Sequence, residues 1–571
     1  MNNCKLERVK NMKESVRKPS RVLGVNRTTD ASIAVIDEAQ ISFLARKERV
    51  FRNKHARGEL HDLKRYLPLV GTMPFDVIVE CYSSDLEREK RSLYREEIVS
   101  ELPLTSSASI IEISHHFSHA LLANLSGFQQ AAVLVADHHG SPLSLIGPSP
   151  IVEERSNDSR VEVISTYSFA DGILTPLSKQ TWDMKRNPIC GLGAFYSFAT
   201  KTLFGQAFRE GVLTGLAAYG DPSCLKMSPL IVRDLEVHIP EDWMNLLYDS
   251  NMHRRFFYNS GNFVNAANFA ASVQLAFEEA LLTISHNLRK CIDVDFLVYV
   301  GGCAMNCSAN ARLEKEGGFS SIFIPPACDD GGSAIGCAIF GNQAINKSFS
   351  NIPWEIDYLG PPCDYNVSVM SSKAVVAGHT VVELDLIEDR VANYLATGQV
   401  IALWQGRSEI GARALGNRSI IADPRFDVMR WYINSHVKGR EWFRPLAPAV
   451  IESAASKYFI DAENSPFMLK RKRVRPEFWG ALQAVTHYDH TARIQTVNNA
   501  QNPFLCRILE ACARNWGFPI VLNTSFNGRN EPIVESFDDA LKTFSTLPIH
   551  HLLAPPLLIS KAPQLPSVYV S

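Results

Sequence analysis

Four short apolar runs, each stopping at a glycine or a polar residue, leave few folds open to this chain. Arg21-Val22-Leu23-Gly24-Val25-Asn26 is followed by a polar turn and then by Ala31–Asp37, a pattern that reads as a β-hairpin. Ala131–Asp137 and Phe296–Val300 are further strand-like runs, the second leading into Gly301-Gly302. Between them lie stretches such as Asn268 to Lys290, apolar every three or four residues, which predict helix. Strands and helices mixed in this way predict an α/β protein. Composition changes near Pro353–Pro362, which contains proline and glycine and lacks a helical period. A fresh α/β unit starts after it, with strands expected at Val400–Trp404 and Pro519–Leu522. The boundary is placed near residue 365, giving units 21–365 and 366–571 behind a flexible basic tail, residues 1–20. No internal repeat stands out in the sequence.

Composition excludes several classes of function. Lys+Arg 58 against Asp+Glu 60 gives a net charge of -2, so no nucleic-acid partner is expected from charge. No run of about 18 apolar residues is present, so no membrane span is expected. The first 21 residues carry seven Lys/Arg and two Glu without an apolar stretch, unlike a secretory signal. Twelve scattered cysteines, with no CxxC pair, suit the reducing cytoplasm.

Three groups of residues could carry chemistry. In Ser114-His115-His116-Phe117-Ser118-His119-Ala120, His115 and His119 are spaced i, i+4, which on a helix points both imidazoles the same way. That is ligand spacing for a divalent metal, with carboxylates from elsewhere completing the set, and the intervening Glu of a zinc protease is missing. Asp137, at a strand end, is placed to be such a carboxylate. The second group is Val300-Gly301-Gly302-Cys303-Ala304-Met305-Asn306, a strand entering a glycine turn that would let backbone N–H groups approach a phosphate. Downstream, Cys328-Asp329-Asp330-Gly331-Gly332-Ser333 puts acidic residues before a small-residue helix, the pattern of an Asp near a metal-bound phosphate or of an ordinary acidic N-cap. The third is the densest: Gln405–Arg418 places Arg407, Arg413 and Arg418 among glycines, and Lys438, Arg440 and Arg444, then Arg493 and Asn523, follow. A guanidinium fork matches phosphate or carboxylate bidentately, and arginines among glycines predict an anion site. By contrast, Lys470–Arg475 and Glu48–His61 read as solvated basic stretches.

These segments together resemble the O-carbamoyltransferases of natural-product pathways, which act on nodulation factors, cephamycins, aminoglycosides and ansamycins. HHFSHA, GGCAMN, CDDGGSAIG, QGRSEIGARALGNRSIIADPR, KGREWFRPLAPAV, TARIQTV and LNTSFNGRNEPIV occur in the family's order, over nearly all of the chain after residue 20. The resemblance implies an actin-like ATPase lobe, like that of the tRNA threonylcarbamoyl-transfer protein, and a smaller α/β lobe, double-stranded-RNA-binding-like, that forms adenylates. It implies that ATP activates carbamoyl phosphate as carbamoyl-adenylate. The carbamoyl group then passes, with a metal's help, to a hydroxyl of a small metabolite such as an antibiotic, a sugar or a polyketide-like compound. His115, His119, Asp137 and Asp330 match the family's metal positions, and the metal, whether iron, manganese, magnesium or zinc, is left open. Asp329 is a neighbouring alternative to Asp330. Gly301, Gly302, Asn306 and Asp330 match the nucleotide site. Arg413, Arg418, Lys438, Arg444, Arg493 and Asn523 are the expected carbamoyl phosphate site, with His115, His119, Arg444 and Lys438 expected to be catalytic.

Two departures stand out. The family's His-Asp-x-Ser reads Thr29-Asp30-Ala31-Ser32 here, and its Glu-x-Lys reads Glu210-Gly211-Val212. His116, His138 or His139 is a candidate to replace the histidine lost at Thr29. The departures keep open a catalytically degenerate nucleotide binder, and a tRNA threonylcarbamoyl-transfer enzyme is the competitor within the superfamily.

Overall fold

The computed structural model describes residues 20–83, 90–143, 159–185, 189–249, 254–258, 261–346, 357–363, 365–462 and 464–561. The tail expected at residues 1–20 lies outside them except for Ser20, as does the 353–356 part of the proline-containing stretch.

Three sheets carry the molecule. The first consists of Arg21–Asn26, Ser32–Asp37, Gln40–Arg46, Phe75–Tyr82 and Leu104–Ser114. Its first three strands form an antiparallel meander, and the last two run parallel to the first, so the order in space is 3-2-1-4-5. The second consists of Gln130–Ala136, Val161–Ala170, Ile173–Trp182, Phe296–Val300 and Ser321–Phe323. Numbered within itself, it has the same order and the same pattern of antiparallel meander and parallel pairs. The topology is therefore duplicated although the sequence shows no repeat, and this is the actin-like arrangement the resemblance implied. Val133, Leu134 and Val135 are fully buried in the strand that leads the second half, and continuous apolar runs of this kind belong to strands covered on both faces.

The helix Ser333–Asn346 locks the halves together. Its small residues let it lie directly on the first sheet and on the short helix His115–Ala120. A Cβ at Gly336 would stand 1.8 Å from Ser118 O, so only glycine permits this approach. The small-residue run after Asp330 thus serves close packing.

The third sheet holds eight strands, in the order Thr380–Glu383, Leu557–Ser560, His551–Ala554, Ile401–Trp404, Arg418–Ala422, Ile520–Ser525, Ala447–Ile451 and Gln495–Val497. Separate hydrophobic clusters cover its faces, one of them built on the helices Glu388–Ala396 and Pro503–Trp516. Among the described residues, no helix is long and apolar enough to cross a membrane.

The two lobes meet at the start of Glu48–His61, so the expected solvated face holds for Asn53, Lys54, Arg57, Glu59 and His61 but not for Arg49 and Arg52. Arg46, Arg49 and Arg52 repeat every third residue around the helix Lys47–Phe51 and reach into the smaller lobe. Arg46 donates to Ile410 O at 2.6 Å, Arg49 to Glu409 O and Gly411 O, and Arg52 to Ile533 O at 2.6 Å. Carbonyl groups satisfy a guanidinium as fully as water does, so a polar stretch need not be solvated. Lys470–Arg475 is corrected likewise. Residues 471–474 form a strand, and Lys470 and Lys472 both pair with Glu314 of the larger lobe, at 2.5 and 2.6 Å.

Candidate active site

In both duplicated halves, the parallel strands point their carboxyl ends at one place. Ligands of open α/β sheets bind at such ends. The fifth strand of the first sheet ends at Ser114, whose hydroxyl caps the helix carrying His115 and His119 by accepting from Phe117 N–H at 3.2 Å. The leading strand of the second sheet ends at Ala136, next to Asp137, and its fifth strand runs on toward Asp330. His115 Nε2 and His119 Nε2 stand 3.2 Å apart. Asp137 Oδ2 lies 3.4 and 3.5 Å from them, and Asp330 Oδ1 3.5 and 3.7 Å.

These four residues offer ligand atoms all within 4.8 Å of one another. A tetrahedron of nitrogen and oxygen ligands at about 2.1 Å from a divalent cation has edges of about 3.4 Å, so the spacing fits a metal. The electrostatics fit as well. Burial pushes both imidazoles down, but Asp330 and Asp137 push harder the other way, and both histidines end above their usual range. Burial likewise raises Asp137, and the two imidazoles overcome it, holding the carboxyl well below its usual range. Asp137 Oδ2 is buried without a hydrogen-bond partner, as a ligand atom facing a cation would be. Of the two adjacent acids, Asp330 joins this group, while Asp329 is gripped by Arg46 through two bonds of 2.6 and 2.9 Å.

A fully buried carboxylate that sequence reasoning missed aims the histidine helix. Glu162 accepts from Ser114 Oγ at 2.7 Å, His116 N–H at 3.3 Å and Ser141 N–H at 3.1 Å, and it pairs with Lys179. Despite burial, Lys179 and its other partners pull its carboxyl down to about 2. His116 points away from the ligand group and bonds Ser165 Oγ at 2.8 Å.

Of the expected nucleotide residues, Gly302 lies against the imidazole–carboxylate group: a Cβ there would stand 2.9 Å from Asp137 Oδ1. Gly301 adopts φ +95°, within the range that favours glycine. The Asn306 side chain is committed to structure. It caps the helix Cys307–Glu316 through Ala309 N–H and exchanges two hydrogen bonds with Gln274, at 3.0 and 3.1 Å.

A cavity of about 780 Å³ opens between the lobes. Arg413, Lys438, Arg444, Arg493 and Asn523 all line it, and Arg440 adds a further cation. Burial and mutual repulsion push Arg444 down to about 10 and Arg493 to about 9. Lys438 falls well below its usual range for the same reasons, beside Arg440, Lys54 and Arg444. Its ammonium donates to Ser525 O at 2.7 Å and Asn527 O at 2.9 Å. Arg413 Nε and Arg493 Nε are buried without a hydrogen-bond partner. Cations crowded in this way repel one another, and an anion would relieve that repulsion.

Arg418 does not belong to this group. It is fully buried, donates to the carbonyls of Gln405, Gly406, Asn417 and Glu535 at 2.7–3.1 Å, and lies over the Trp404 ring. Arg407 likewise binds the carbonyls of Gly360 and Leu359. Of the three arginines among glycines, Arg413 alone lines the cavity. The larger lobe contributes wall residues that sequence reasoning did not select, including Lys54, His55 and Arg209. Asp329 is also in the wall, one residue from Asp330 of the ligand group.

Two family models match the chain: Carbamoyltransferase N-terminus over residues 91–339, and Carbamoyltransferase C-terminus over residues 392–561. Nodulation protein NolNO of Sinorhizobium fredii is 32% identical over 93% of this chain and 79% of its own length. The 3'-hydroxymethylcephem-O-carbamoyltransferase of Amycolatopsis lactamdurans is 33% identical over 73% of this chain and 81% of its own. Among solved structures, full-length HypF in a phosphate- and nucleotide-bound form covers 58% of this chain and 47% of its own, at 13% identity and a TM-score of 0.34. The duplicated sheet, the imidazole–carboxylate group at its strand ends and the arginine-walled cavity thus stand in a chain whose two halves match the two parts of one enzyme family, and the chain belongs to the carbamoyltransferases.

Proposed function

We propose that the protein activates carbamoyl phosphate with ATP as carbamoyl-adenylate, releasing inorganic phosphate and pyrophosphate, and transfers the carbamoyl group to a hydroxyl of a small metabolite, releasing AMP. The observation that carries this reading is the cavity: it is walled by closely grouped cations of one lobe and reaches, through Asp329, the residue next to the ligand group of the other. Carbamoyl phosphate is a small dianion, and Arg413, Arg444 and Arg493 supply converging charge for it, with Asn523 as a neutral donor. Lys438, held by carbonyls of the loop around Ser525–Asn527, keeps a fixed position from which to bind the phosphate. The glycine turn at Gly301-Gly302 offers backbone to a nucleotide phosphate beside Asp137. His115, His119, Asp137 and Asp330 would hold a divalent metal, whose charge would favour AMP as leaving group. The division of labour follows a boundary near residue 365, since strands up to Phe323 and strands from Thr380 share no sheet among the described residues. The name of one relative, a 3'-hydroxymethylcephem-O-carbamoyltransferase, supports a hydroxylated small-molecule acceptor.

Exchange of labelled pyrophosphate into ATP tests the first half-reaction. Purified, metal-loaded protein is expected to catalyse it only when carbamoyl phosphate is present. Absence of exchange under those conditions overturns the reading.

A further inference from the structure

The turn after the first strand lies against the segment that carries Asp330. Asn26 Nδ2 donates to Asp330 O at 2.8 Å, Ser32 Oγ to Gly331 O at 2.8 Å, and Thr28 Oγ1 to Asp330 Oδ2 at 3.3 Å. This fixes Asp30, at the tip of the turn, in the wall of the cavity beside the ligand group. Asp30 Oδ1 lies 3.0 Å from His55 Nδ1. The His55 ring stacks on Phe208 with centroids 4.4 Å apart, and all three residues line the cavity.

Their backbones are unusual. Asp30, His55 and Phe208 have φ of +52°, +54° and +59°, the left-handed region that non-glycine residues avoid. Three such residues, from three segments, meet at one point of the wall. Strain of this kind persists where the surrounding structure enforces it, and it clusters at active sites. None of His116, His138 and His139, the expected substitutes for the histidine lost at Thr29, has a hydrogen bond to Asp30; His55 has one.

In the neutral ring, an ionised Asp30 at 3.0 Å places the proton on Nδ1 and leaves the lone pair on Nε2. Burial pushes His55 down, and the bond to Asp30 more than reverses this. The charged groups facing the ring include Asp30, Glu48, Lys54 and Glu210. Asp30, Glu48 and His55 also offer atoms within metal-binding reach of one another. The direct Asp30–His55 bond, and the one Glu48 Oε2 accepts from His55 N–H at 3.3 Å, already engage those groups and favour a proton-transfer pair.

We infer that His55 is the general base for the acceptor, with Asp30 as its positioning residue. The inference rests on the carbamoyl-adenylate reading. His55 Nε2 removes the proton of the acceptor hydroxyl as that oxygen bonds to the carbamoyl carbon. The bond from this carbon to the adenylate's phosphate oxygen breaks, and its electron pair leaves with AMP.

The test uses the full-length, metal-loaded protein with ATP and carbamoyl phosphate, water being the probe acceptor. Two rates are read: pyrophosphate–ATP exchange, which needs no acceptor, and net AMP release, which does. The His55→Gln variant is expected to keep exchange within about twofold and to lose AMP release about 100-fold, the usual worth of a general base. Asp30→Asn is expected to lose less. In His55→Ala, added imidazole is expected to restore part of the release, which a merely structural role would not allow. AMP release at the wild-type rate in His55→Gln, or exchange lost together with release, overturns the assignment. Missing exchange in the unaltered protein overturns the adenylate reading beneath it.

Discussion

The arginine cavity and the imidazole–carboxylate group are unbalanced in opposite directions. In the cavity, burial and neighbouring cations depress Lys438, Arg440, Arg444 and Arg493 together, so the wall repels itself. In the ligand group, Asp137 and Asp330 lift His115 and His119, and the imidazoles in turn hold Asp137 down, so that site draws positive charge. The first is dominated by positive groups, the second by an imidazole–carboxylate set that favours a cation. Strongly shifted titrations cluster at functional sites because catalytic groups cannot also be ideally paired for stability. Arg418, with four carbonyl acceptors, contrasts with Arg413 and Arg493, whose buried Nε atoms have no hydrogen-bond partner.

The widest separation of the two regions is expected from Arg493→Met. Pyrophosphate exchange should fall about 100-fold or more, since charge-assisted bonds to a dianion are lost. Because a repelling buried cation goes with it, the melting temperature should hold or rise, by about 1 kcal/mol of stability. Isotope exchange and thermal denaturation check this pair, and a coupled loss of both would place Arg493 in the framework.

Arg418→Met should behave in reverse. It removes the donor of the Gln405 and Gly406 carbonyls, while Glu535 O keeps Trp404 Nε1–H and Asn417 O keeps Gln405 N–H, so stability should drop by about 3 kcal/mol in chemical denaturation. The folded fraction should keep its KM for carbamoyl phosphate within about threefold. A large KM change would return Arg418 to the anion site.

Glu162→Gln should also cost about 3 kcal/mol, because Lys179 would be left as a buried cation without its partner. Its carboxyl is held at about 2 against an ordinary 4.5, so its stabilisation is fully present above pH 4.5 and is lost as the pH falls toward 2. Denaturation midpoints of the wild type and the variant should therefore converge across that window. Parallel curves would contradict the role given to Glu162.

The smallest effect expected is on anion affinity. A guanidinium with a lowered pKa is charged below that pKa and neutral above it. Calorimetric affinity for inorganic phosphate should therefore weaken as the pH rises through about 9, where Arg493 begins to lose its proton. Affinity unchanged to pH about 11 would mean that the neighbouring cations do not depress it.

Much of this was legible in the chain. His115, His119 and Asp137 directly follow strands, and at the carboxyl ends of parallel strands nearness in space follows from topology. The duplication was hidden because only topology is shared: the opening meanders differ in strand length, and the long helix Phe263–Cys291 lies within the second half alone. The roles of the arginines were hidden for a chemical reason. Five N–H donors are satisfied equally well by carbonyls or by phosphate, so Arg413 and Arg418 look alike in sequence and differ only in what surrounds them. His55 was overlooked because its partner, Asp30, lies 25 residues away and is joined to it by the fold.

The most direct test of a two-part site is the His119→Ala protein assayed for both half-reactions, with its metal content measured alongside. The account predicts carbamoyl-phosphate-dependent pyrophosphate exchange within about threefold of wild type, metal content reduced, and transfer to an acceptor lost about 100-fold. Loss of exchange in a folded His119→Ala protein would contradict it, because activation could then no longer be separated from the imidazole–carboxylate group.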